Sequence, residues 1–345
     1  MSKVYFVTIG EPGYSRSWTY FNQLKSIKKD VEFVKITPPK IFQEIYKLRK
    51  FIPRNAQIVV MSPSQYLVIP IRIIISKNII MDAGWSLFEG TVISRKIYGC
   101  FFYKVIKTYL IDLSSSYLAK KVLVESELQL KYFKKMFRIR EEKLEVLYTG
   151  VDEKAFDKQT KLIFVKDIFA NNKIVLFRGK FNPEAGLEVL AETSRILEAE
   201  PITFWISSPG VPDNIVFSKN CLIEKKLISK PEISFLLKNC TLSLGQLANH
   251  KRLSRTIPHK AFESAYMSSP YITARSKGIL EIFTEGWDVI CFDPGNPRDL
   301  ADKILETIFD KNRLHFISSN MKSTYEKNFS QNLLANKVNE ILSKL

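Results

Sequence analysis

The sequence lacks the residue groups that usually build a structural metal site or a disulfide framework. Cysteine occurs only four times in 345 residues, at Cys100, Cys221, Cys240 and Cys291. Because these positions are widely scattered, with no short paired spacing, they are typical of reduced and mostly buried thiols. We therefore expect no zinc site and no disulfide bonds.

The sequence also shows no pattern typical of a targeting signal or a membrane-spanning segment. The N-terminal residues run into a strand-like stretch without the basic, apolar and small-residue regions that make up an export signal. The most apolar stretch, residues 66–81, is interrupted by Pro70, Arg72 and Lys77, so it falls short of a bilayer crossing. We expect a cytoplasmic protein.

Positive charge is in excess and unevenly distributed. The chain carries 52 Lys and Arg against 35 Asp and Glu, a net charge of +17. Residues 1–165 hold 28 basic and 15 acidic side chains, so most of the excess lies in the first half. Such a field can attract nucleic acid, anionic lipid or an anionic substrate, or it can simply keep the protein in solution.

Short β-branched runs alternate with segments of helical period along the whole chain. One series of six runs lies between residues 4 and 148, and a second series of five lies between residues 174 and 292. This alternation predicts an α/β protein with two doubly wound, Rossmann-like domains, whose parallel sheets would face a central cleft. We place the domains at residues 1–165 and 166–324. The last segment, residues 318–345, predicts two helices, and residues 325–345 can pack back on the first domain.

The first candidate for a ligand site is the segment KIVLFRGKFNPEAGLEVLAE, residues 173–192. It predicts an apolar strand, a turn and a helix. Gly179 at the strand end permits a close backbone approach, and Lys180 adds a positive charge, so a phosphate would fit there. Turns of this kind also occur throughout doubly wound folds without any ligand.

The second candidate is the segment RTIPHKAFESAYMSSPYITARSKGILEIFTEG, residues 255–286. Pro258 is placed to start a helix that carries Glu263 near its first turns, where a buried carboxylate needs a hydroxyl or cation partner. A strand follows, and then a turn at Gly278, where backbone N–H groups can meet phosphate or sugar oxygens.

Five motifs in this order resemble the family 4 (group 1) retaining glycosyltransferases. They are VLYTGVDEKAF at residues 146–156, VLFRGKF with Gly186 and Leu187, IPHKAFE, SSPYITARSKGILE and DVICFDPGNPRDLADKI. The resemblance implies a GT-B fold, a nucleotide diphosphate sugar as donor substrate, no cofactor, and transfer with retention. No Asp-x-Asp triplet occurs in the sequence, which argues against the metal-dependent GT-A class and favours a mechanism without a metal.

The resemblance also implies roles for particular residues. Lys180 looks like the family's basic residue that neutralises the donor diphosphate, and Glu263 like the second glutamate of its paired motif, which binds the nucleotide ribose. The backbone at Gly278, Ile279 and Leu280 looks like the loop that approaches the diphosphate and the sugar. With Gly179, these residues make up the core of the predicted donor site.

The sequence departs from the family pattern at three places. Glu184 stands where the family has a second diphosphate-binding lysine, and we expect Arg255 or Lys260 to supply the lost charge ahead of the other cations nearby, Arg275 and Lys277. Arg255 itself replaces the first glutamate of the pair. The family's histidine in the first domain has no counterpart, because all three histidines lie in the second half.

Asp82, at a strand end in the first half, is the candidate for the role of that histidine. It can orient an acceptor hydroxyl or act as a weak base; a structural role in capping a loop or helix explains it equally well. We therefore include Asp82 with Lys180 and Glu263 as candidate catalytic residues.

The first half also offers candidates for contact with the acceptor. Gly10, Gly13 and Arg16 lie in the loop GEPGYSRSW, a candidate for binding an acceptor phosphate. Two stretches, residues 94–113 and 131–140, mix basic and aromatic side chains as membrane-surface segments do. They favour a lipid-linked or other anionic acceptor reached at the cytoplasmic membrane face, unless the aromatic side chains are buried and only the lysines are solvated.

Taken together, the patterns favour a glycosyltransferase that moves a sugar from a nucleotide diphosphate sugar to a glycan or a lipid-linked acceptor. One alternative is a sugar-nucleotide epimerase of the same fold. The other is a non-catalytic basic scaffold that binds membrane or nucleic acid. Nucleic acid is the least favoured partner, because no zinc finger, RNA-recognition signature or lysine-rich tail is present.

Overall fold

The computed structural model of the chain describes residues 3–9, 16–28, 30–97, 101–158 and 173–345. The chain divides into two compact units, which we call unit 1 (Met1–Asp152 with Ser330–Leu345) and unit 2 (Glu153–Phe329). The boundary predicted at residues 165 and 166 lies outside the described residues.

Twelve strands are present in the described residues, six in each unit. Unit 1 contains β1 (Val4–Ile9), β2 (Val31–Ile36), β3 (Gln57–Val60), β4 (Ile79–Gly84), β5 (Lys121–Val124) and β6 (Leu144–Val146). Unit 2 contains β7 (Lys173–Arg178), β8 (Ile202–Ser207), β9 (Cys221–Glu224), β10 (Leu242–Leu244), β11 (Tyr271–Ala274) and β12 (Ile290–Phe292).

The described helices connect successive strands or follow the last strand. They are α1 (Ser17–Ile27), α2 (Ile41–Leu48), α3 (Val68–Ile74), α4 (Phe102–Leu118), α5 (Glu127–Phe137), α6 (Glu153–Phe156), α7 (Leu187–Ile196), α8 (Lys230–Asn239), α9 (His259–Tyr266), α10 (Pro297–Ile308), α11 (Lys311–Asn328) and α12 (Gln331–Ser343). A π-helical turn (Phe88–Ser94) lies between β4 and α4.

Each unit is built on one parallel sheet, because every strand pair in the described residues is parallel. The strand order is β2-β1-β3-β4-β5-β6 in unit 1 and β12-β11-β10-β7-β8-β9 in unit 2. The order reverses between β1 and β3 in the first sheet and between β7 and β10 in the second. In open α/β sheets such switch points leave a crevice at the carboxyl ends of the strands, where ligands bind.

Apolar side chains on both faces of the strands explain why both sheets are covered by helices. In unit 1, one face of the sheet packs on Phe21 and Leu24 of α1 and on Leu334 and Val338 of α12. The last helix of the chain therefore completes the core of unit 1. In unit 2, β7 packs with α7 and α10 in a single apolar cluster.

The α/β class with two parallel sheets, predicted from the alternating pattern, is confirmed. The two terminal helices are also present, the first starting at Lys311 instead of residue 318. Strand β9 was missed. It is a four-residue edge strand whose Leu222 and Ile223 are 37% and 40% exposed, and its apolar run, CLI, is only three residues long.

The two basic aromatic stretches of unit 1 differ in burial. In α5, Phe133 and Phe137 are buried in the core, so the expected membrane surface at residues 131–140 is wrong for its aromatic side chains. In α4, by contrast, Phe102 and Tyr103 are 73% and 65% exposed. No helix in the described part of the chain combines the length and the apolar character that a membrane crossing requires.

Candidate functional site

The switch point of unit 2 lies between the carboxyl ends of β7 and β10. Strand β7 is apolar from Ile174 to Phe177 and ends at Arg178, and Gly179 follows it. Strand β10 ends at Leu244, and Gly245 follows it. Because both strand ends carry a glycine, the side chains of neighbouring elements can lie directly over the edge of the sheet.

Gly179 combines a special backbone conformation with a close contact. Its φ angle is +126°, and a Cβ atom there would lie 2.9 Å from Cε of Lys260. The φ value lies in the region that disfavours every residue with a side chain. The glycine expected to admit a ligand phosphate therefore also makes room for a lysine.

Lys260, at the start of α9, reaches into this crevice. Its Nζ atom lies 3.4 Å from the carbonyl oxygen of Gly245 and 4.0 Å from the ring centroid of Phe177. Burial, together with the nearby Arg178 guanidinium, lowers the pKa of Lys260 to about 7. The ammonium group is thus held at the switch point in surroundings that do not balance its charge.

Glu263, one turn further along α9, forms an ion pair with Arg178. Nη1 of Arg178 donates to Oε2 of Glu263, and Nη2 lies 3.4 Å from the carbonyl oxygen of Lys260. The Arg178 side chain is 5% exposed and that of Glu263 is 18% exposed. We expected a hydroxyl group or a cation as the partner of Glu263. The partner is a cation, the guanidinium of Arg178 at the end of β7.

Glu184, which stands where the family has a lysine, is buried in a second ion pair. Nη1 of Arg252 lies 3.1 Å from Oε1 of Glu184, and both side chains are at most 6% exposed. Arg252 belongs to a short 3₁₀ helix (Lys251–Ser254) after β10. The pair therefore ties this loop to the turn before α7, and Glu184 has a structural role here.

The predicted loop at Gly278 lies against the same 3₁₀ helix. A Cβ atom at Gly278 would lie 2.5 Å from the carbonyl oxygen of Thr256 and 2.7 Å from that of Leu253, so the close backbone approach requires a glycine. Ile279 is buried, and Leu280 is 40% exposed. The Gly278 loop therefore packs directly against the segment that leads from β10 to Lys260.

The remaining predicted cations of unit 2 lie at the surface or are paired. Lys180 is exposed directly after Gly179, and Arg255 follows the 3₁₀ helix with a partly buried side chain. Arg275 pairs with Glu285 at 2.7 Å and with Asp293 at 2.6 Å, and Lys277 is exposed. Of the four cations considered as replacements for the missing lysine, Lys260 is the one placed at the switch point.

Asp82 lies near the end of β4 in unit 1, where its carboxylate accepts four hydrogen bonds. Oδ1 accepts from Nε of Arg16 at 2.8 Å and from Nη2 at 2.6 Å, and Oδ2 accepts from Ser17 and Tyr20. The Asp82 side chain is fully buried and that of Arg16 is 3% exposed. Burial and the Asp82 charge raise the pKa of Tyr20 well above its usual range, so Tyr20 stays a donor.

This network corrects two expectations about unit 1. An acceptor hydroxyl cannot reach the Asp82 carboxylate without breaking existing hydrogen bonds, so the structure favours the structural reading of Asp82. Arg16, expected to meet an acceptor phosphate, is instead the main partner of Asp82 and also donates to the carbonyl oxygen of Leu147. Gly10 and Gly13 lie outside the described residues.

Two site residues, Arg178 and Arg252, were missed in the sequence. Arg178 ends the apolar run of residues 174–177 with a charge, and a buried carboxylate in need of a partner was already expected at Glu263, so the two signals together identify it. Arg252 carried no such signal, because no buried carboxylate was expected at its partner Glu184. Within the described ranges, no group of three or more His, Cys, Asp or Glu side chains is arranged to hold a metal ion.

Comparison with solved structures identifies the fold. The crystal structure of Anabaena HepE in complex with UDP-glucose has a TM-score of 0.74 at 15% sequence identity, covering 100% of both chains. Sucrose-phosphate synthase from Thermosynechococcus elongatus has a TM-score of 0.74 at 11% identity, covering 99% of both chains. The UDP-forming α,α-trehalose-phosphate synthase from Burkholderia vietnamiensis has a TM-score of 0.72 at 9% identity, covering 99% of this chain and 97% of that one.

The chain therefore has the fold of the GT-B glycosyltransferases, as the resemblance predicted. No protein-family model and no curated protein sequence matches it.

Proposed function

We propose that this protein is a glycosyltransferase that moves a sugar from a nucleotide diphosphate sugar to a glycan or lipid-linked acceptor. The observation that carries the proposal is the ammonium group of Lys260, held at the switch point of unit 2 beside Gly179 and Gly245. A desolvated cation at this edge of the sheet is stabilised by a bound anion. The diphosphate of the donor is an anion of suitable size and charge.

The residues around Lys260 suggest how the donor is held. Lys180, exposed next to Gly179, would bind the diphosphate from the solvent side. Arg178 fixes Oε2 of Glu263, which leaves Oε1 of this 18% exposed side chain to accept a hydrogen bond from the ribose. Uridine is our first choice of base, because the HepE structure holds UDP-glucose and the trehalose-phosphate synthase is UDP-forming.

In the transfer step, the bond between the anomeric carbon and the diphosphate oxygen breaks, and its electron pair stays on the diphosphate. Lys180 and Lys260 would stabilise this developing charge, so the site needs no metal. The acceptor oxygen gives its proton to the departing diphosphate oxygen and bonds to the anomeric carbon. Retention of configuration rests on the resemblance to family 4 glycosyltransferases.

The test combines donor binding with product analysis. Calorimetric titration with UDP, GDP, ADP and their glucose derivatives should show saturable binding of one nucleotide. Lys180→Met should weaken it about 10- to 100-fold, the loss expected for one charge-assisted contact. Lys238→Met is the matched control, because Lys238 is exposed and precedes β10, at the opposite edge of the sheet.

Each alternative outcome has a distinct meaning. Incubation with the bound donor and a membrane extract should yield a glycosylated product, whose anomeric configuration is read by NMR. Conversion of the donor sugar without an acceptor would indicate an epimerase instead. No binding to any nucleotide sugar would contradict the proposal.

A further inference from the structure

Exposed large apolar side chains are concentrated in one stretch of unit 1. Of the 23 such side chains in the described residues, twelve lie between positions 42 and 117. The seven most exposed of these, between 63% and 77%, are Phe42, Tyr46, Phe51, Ile73, Phe101, Phe102 and Tyr103. Exposed apolar side chains that lie together on a folded protein usually mark an interaction site.

A groove runs along α4 through this stretch. A cavity of about 460 Å³ between α3 and α4 is lined by Ile69, Tyr103, Ile106 and Leu110. A second cavity of about 640 Å³ lies where α4 meets the start of α2 and the π-helical turn. The two cavities share Tyr103 and Ile111 in their walls, so they adjoin. We call them together the α4 groove.

The α4 groove is apolar inside and basic at its border. Tyr103, Ile106 and Leu110 follow one side of α4 at helical spacing, along a stripe about 10 Å long. Lys107 lines both cavities, and Lys104 lines the second, with its ammonium group 4.8 Å from the ring centroid of Phe101. Lysine side chains can place their apolar stems along such a groove and their charges at its edge.

The surrounding charge has one sign. Residues 40–118 contain eleven Lys and Arg and four acidic side chains. Three of the acidic ones, Asp82, Glu89 and Asp112, are buried, and the fourth, Glu44, accepts a hydrogen bond from the backbone N–H of Thr37. Two copies of this surface would therefore repel each other, whereas an anionic partner would be attracted.

We propose that the surface around the α4 groove docks on a bilayer of anionic phospholipids. Lipid acyl chains would enter the α4 groove, and Lys104 and Lys107 would lie at the level of the lipid phosphates. Apolar side chains inserted at the interface and lysines facing anionic headgroups are the two contributions that hold peripheral proteins on membranes. The inference does not depend on the proposed function, because it concerns unit 1 and requires no nucleotide.

The test is co-sedimentation of the full chain with vesicles. The protein should bind vesicles of equal parts phosphatidylglycerol and phosphatidylcholine, should bind phosphatidylcholine alone much less, and should be released by salt. The double variant Lys104→Gln/Lys107→Gln should lose about 30-fold in affinity, and Ile106→Ser/Leu110→Ser at least about tenfold. Circular dichroism should show unchanged melting, because Ile106, Lys107 and Leu110 are exposed and Lys104 is only partly buried.

Matched controls keep the result interpretable. Lys131→Gln/Lys135→Gln removes two exposed charges from α5, and Leu333→Ser removes a 43% exposed apolar side chain from α12. Both controls should bind vesicles like the unchanged protein. The inference is overturned if the protein does not bind the anionic vesicles, or if all variants bind them equally. It is also overturned if the groove variants instead abolish self-association measured by ultracentrifugation.

Discussion

Each sheet carries an arginine–carboxylate pair at its carboxyl edge, and the two pairs differ in charge balance. In unit 1, Asp82 is saturated by Arg16 and two hydroxyl groups, and the pair is closed to solvent. In unit 2, Arg178 and Glu263 share their surroundings with Lys260, so two cations face one carboxylate. A buried ion pair whose carboxylate is fully hydrogen-bonded stabilises the fold, whereas a cation in excess over its carboxylate partners is expected to bind an anion.

The largest expected effect comes from breaking the balanced pair. Asp82→Asn removes the carboxylate to which the buried Arg16 guanidinium donates and leaves only the nearby Glu125 charge, so we expect a loss of about 3–5 kcal/mol in the free energy of unfolding of unit 1. Urea titration followed by tryptophan fluorescence measures this loss.

Asp112→Asn is the matched control for that variant. Asp112 is a buried carboxylate of unit 1 that accepts from Ser86 and from the backbone N–H of Phe88. Burial raises its pKa to about 6, so its charge already opposes folding above that pH. A change within about 1 kcal/mol is expected. Equal losses in both variants would show that the Arg16 pairing has no special weight.

A smaller effect is expected when the excess cation of unit 2 is removed. Lys260→Met should weaken nucleotide-sugar binding about 10- to 100-fold, because one charge-assisted contact is lost. The urea midpoint of unit 2 should not fall, since the variant removes a desolvated charge. Lys219→Met, an exposed lysine before β9 at the opposite sheet edge, should change neither quantity. A large loss of stability in Lys260→Met would contradict the view that Lys260 is an excess cation that does not stabilise unit 2.

The smallest mutational effect concerns the glycine beneath Lys260. Gly179→Ala places a side chain at a φ of +126°, which should lower the stability of unit 2 by about 1–3 kcal/mol, and it displaces Lys260. Gly210→Ala is the control, because Gly210 also has a positive φ, +76°, but has open space around its Cβ position. Only the first variant should weaken nucleotide binding, as measured by calorimetric titration.

Local sequence patterns predicted much of the fold, because most buried strands can be recognised as runs of β-branched residues. The strands Val4–Ile9, Val31–Ile36 and Tyr271–Ala274 match the predicted bounds. The edge strand β9 was missed, since its apolar run has only three residues, of which Ile223 alone is β-branched. Burial of α4 and α5 could not be distinguished either, because both have mixed aromatic and basic side chains and only tertiary packing decides which side is covered.

The candidate sites show the same limit at the level of single residues. A buried carboxylate at Glu263 could be anticipated from its helix, and Lys260 was among the cations expected to act there. The partners of Asp82 could not be anticipated, because Arg16 and Tyr20 lie more than 60 positions away in sequence and meet it only through the sheet order. Contacts between residues that are distant in sequence and meet only through the sheet order are thus what sequence patterns least reveal.

Proton uptake on nucleotide-sugar binding shows whether Lys260 is the cation that receives the diphosphate. With a pKa of about 7, Lys260 is mostly neutral at about pH 8 and mostly charged at about pH 6 in the free protein. A diphosphate stabilises the charged form, so binding at pH 8 draws in a proton, and affinity falls as pH rises above 7. A nucleotide sugar has no phosphate monoester that titrates in this range.

The measurement is calorimetric titration of the preferred nucleotide sugar in buffers of different ionisation enthalpy, at both pH values. We expect uptake close to one proton per bound ligand at pH 8, almost none at pH 6, and none at either pH for Lys260→Met. Binding without proton uptake at pH 8, or equal uptake by the unchanged protein and Lys260→Met, would contradict this expectation.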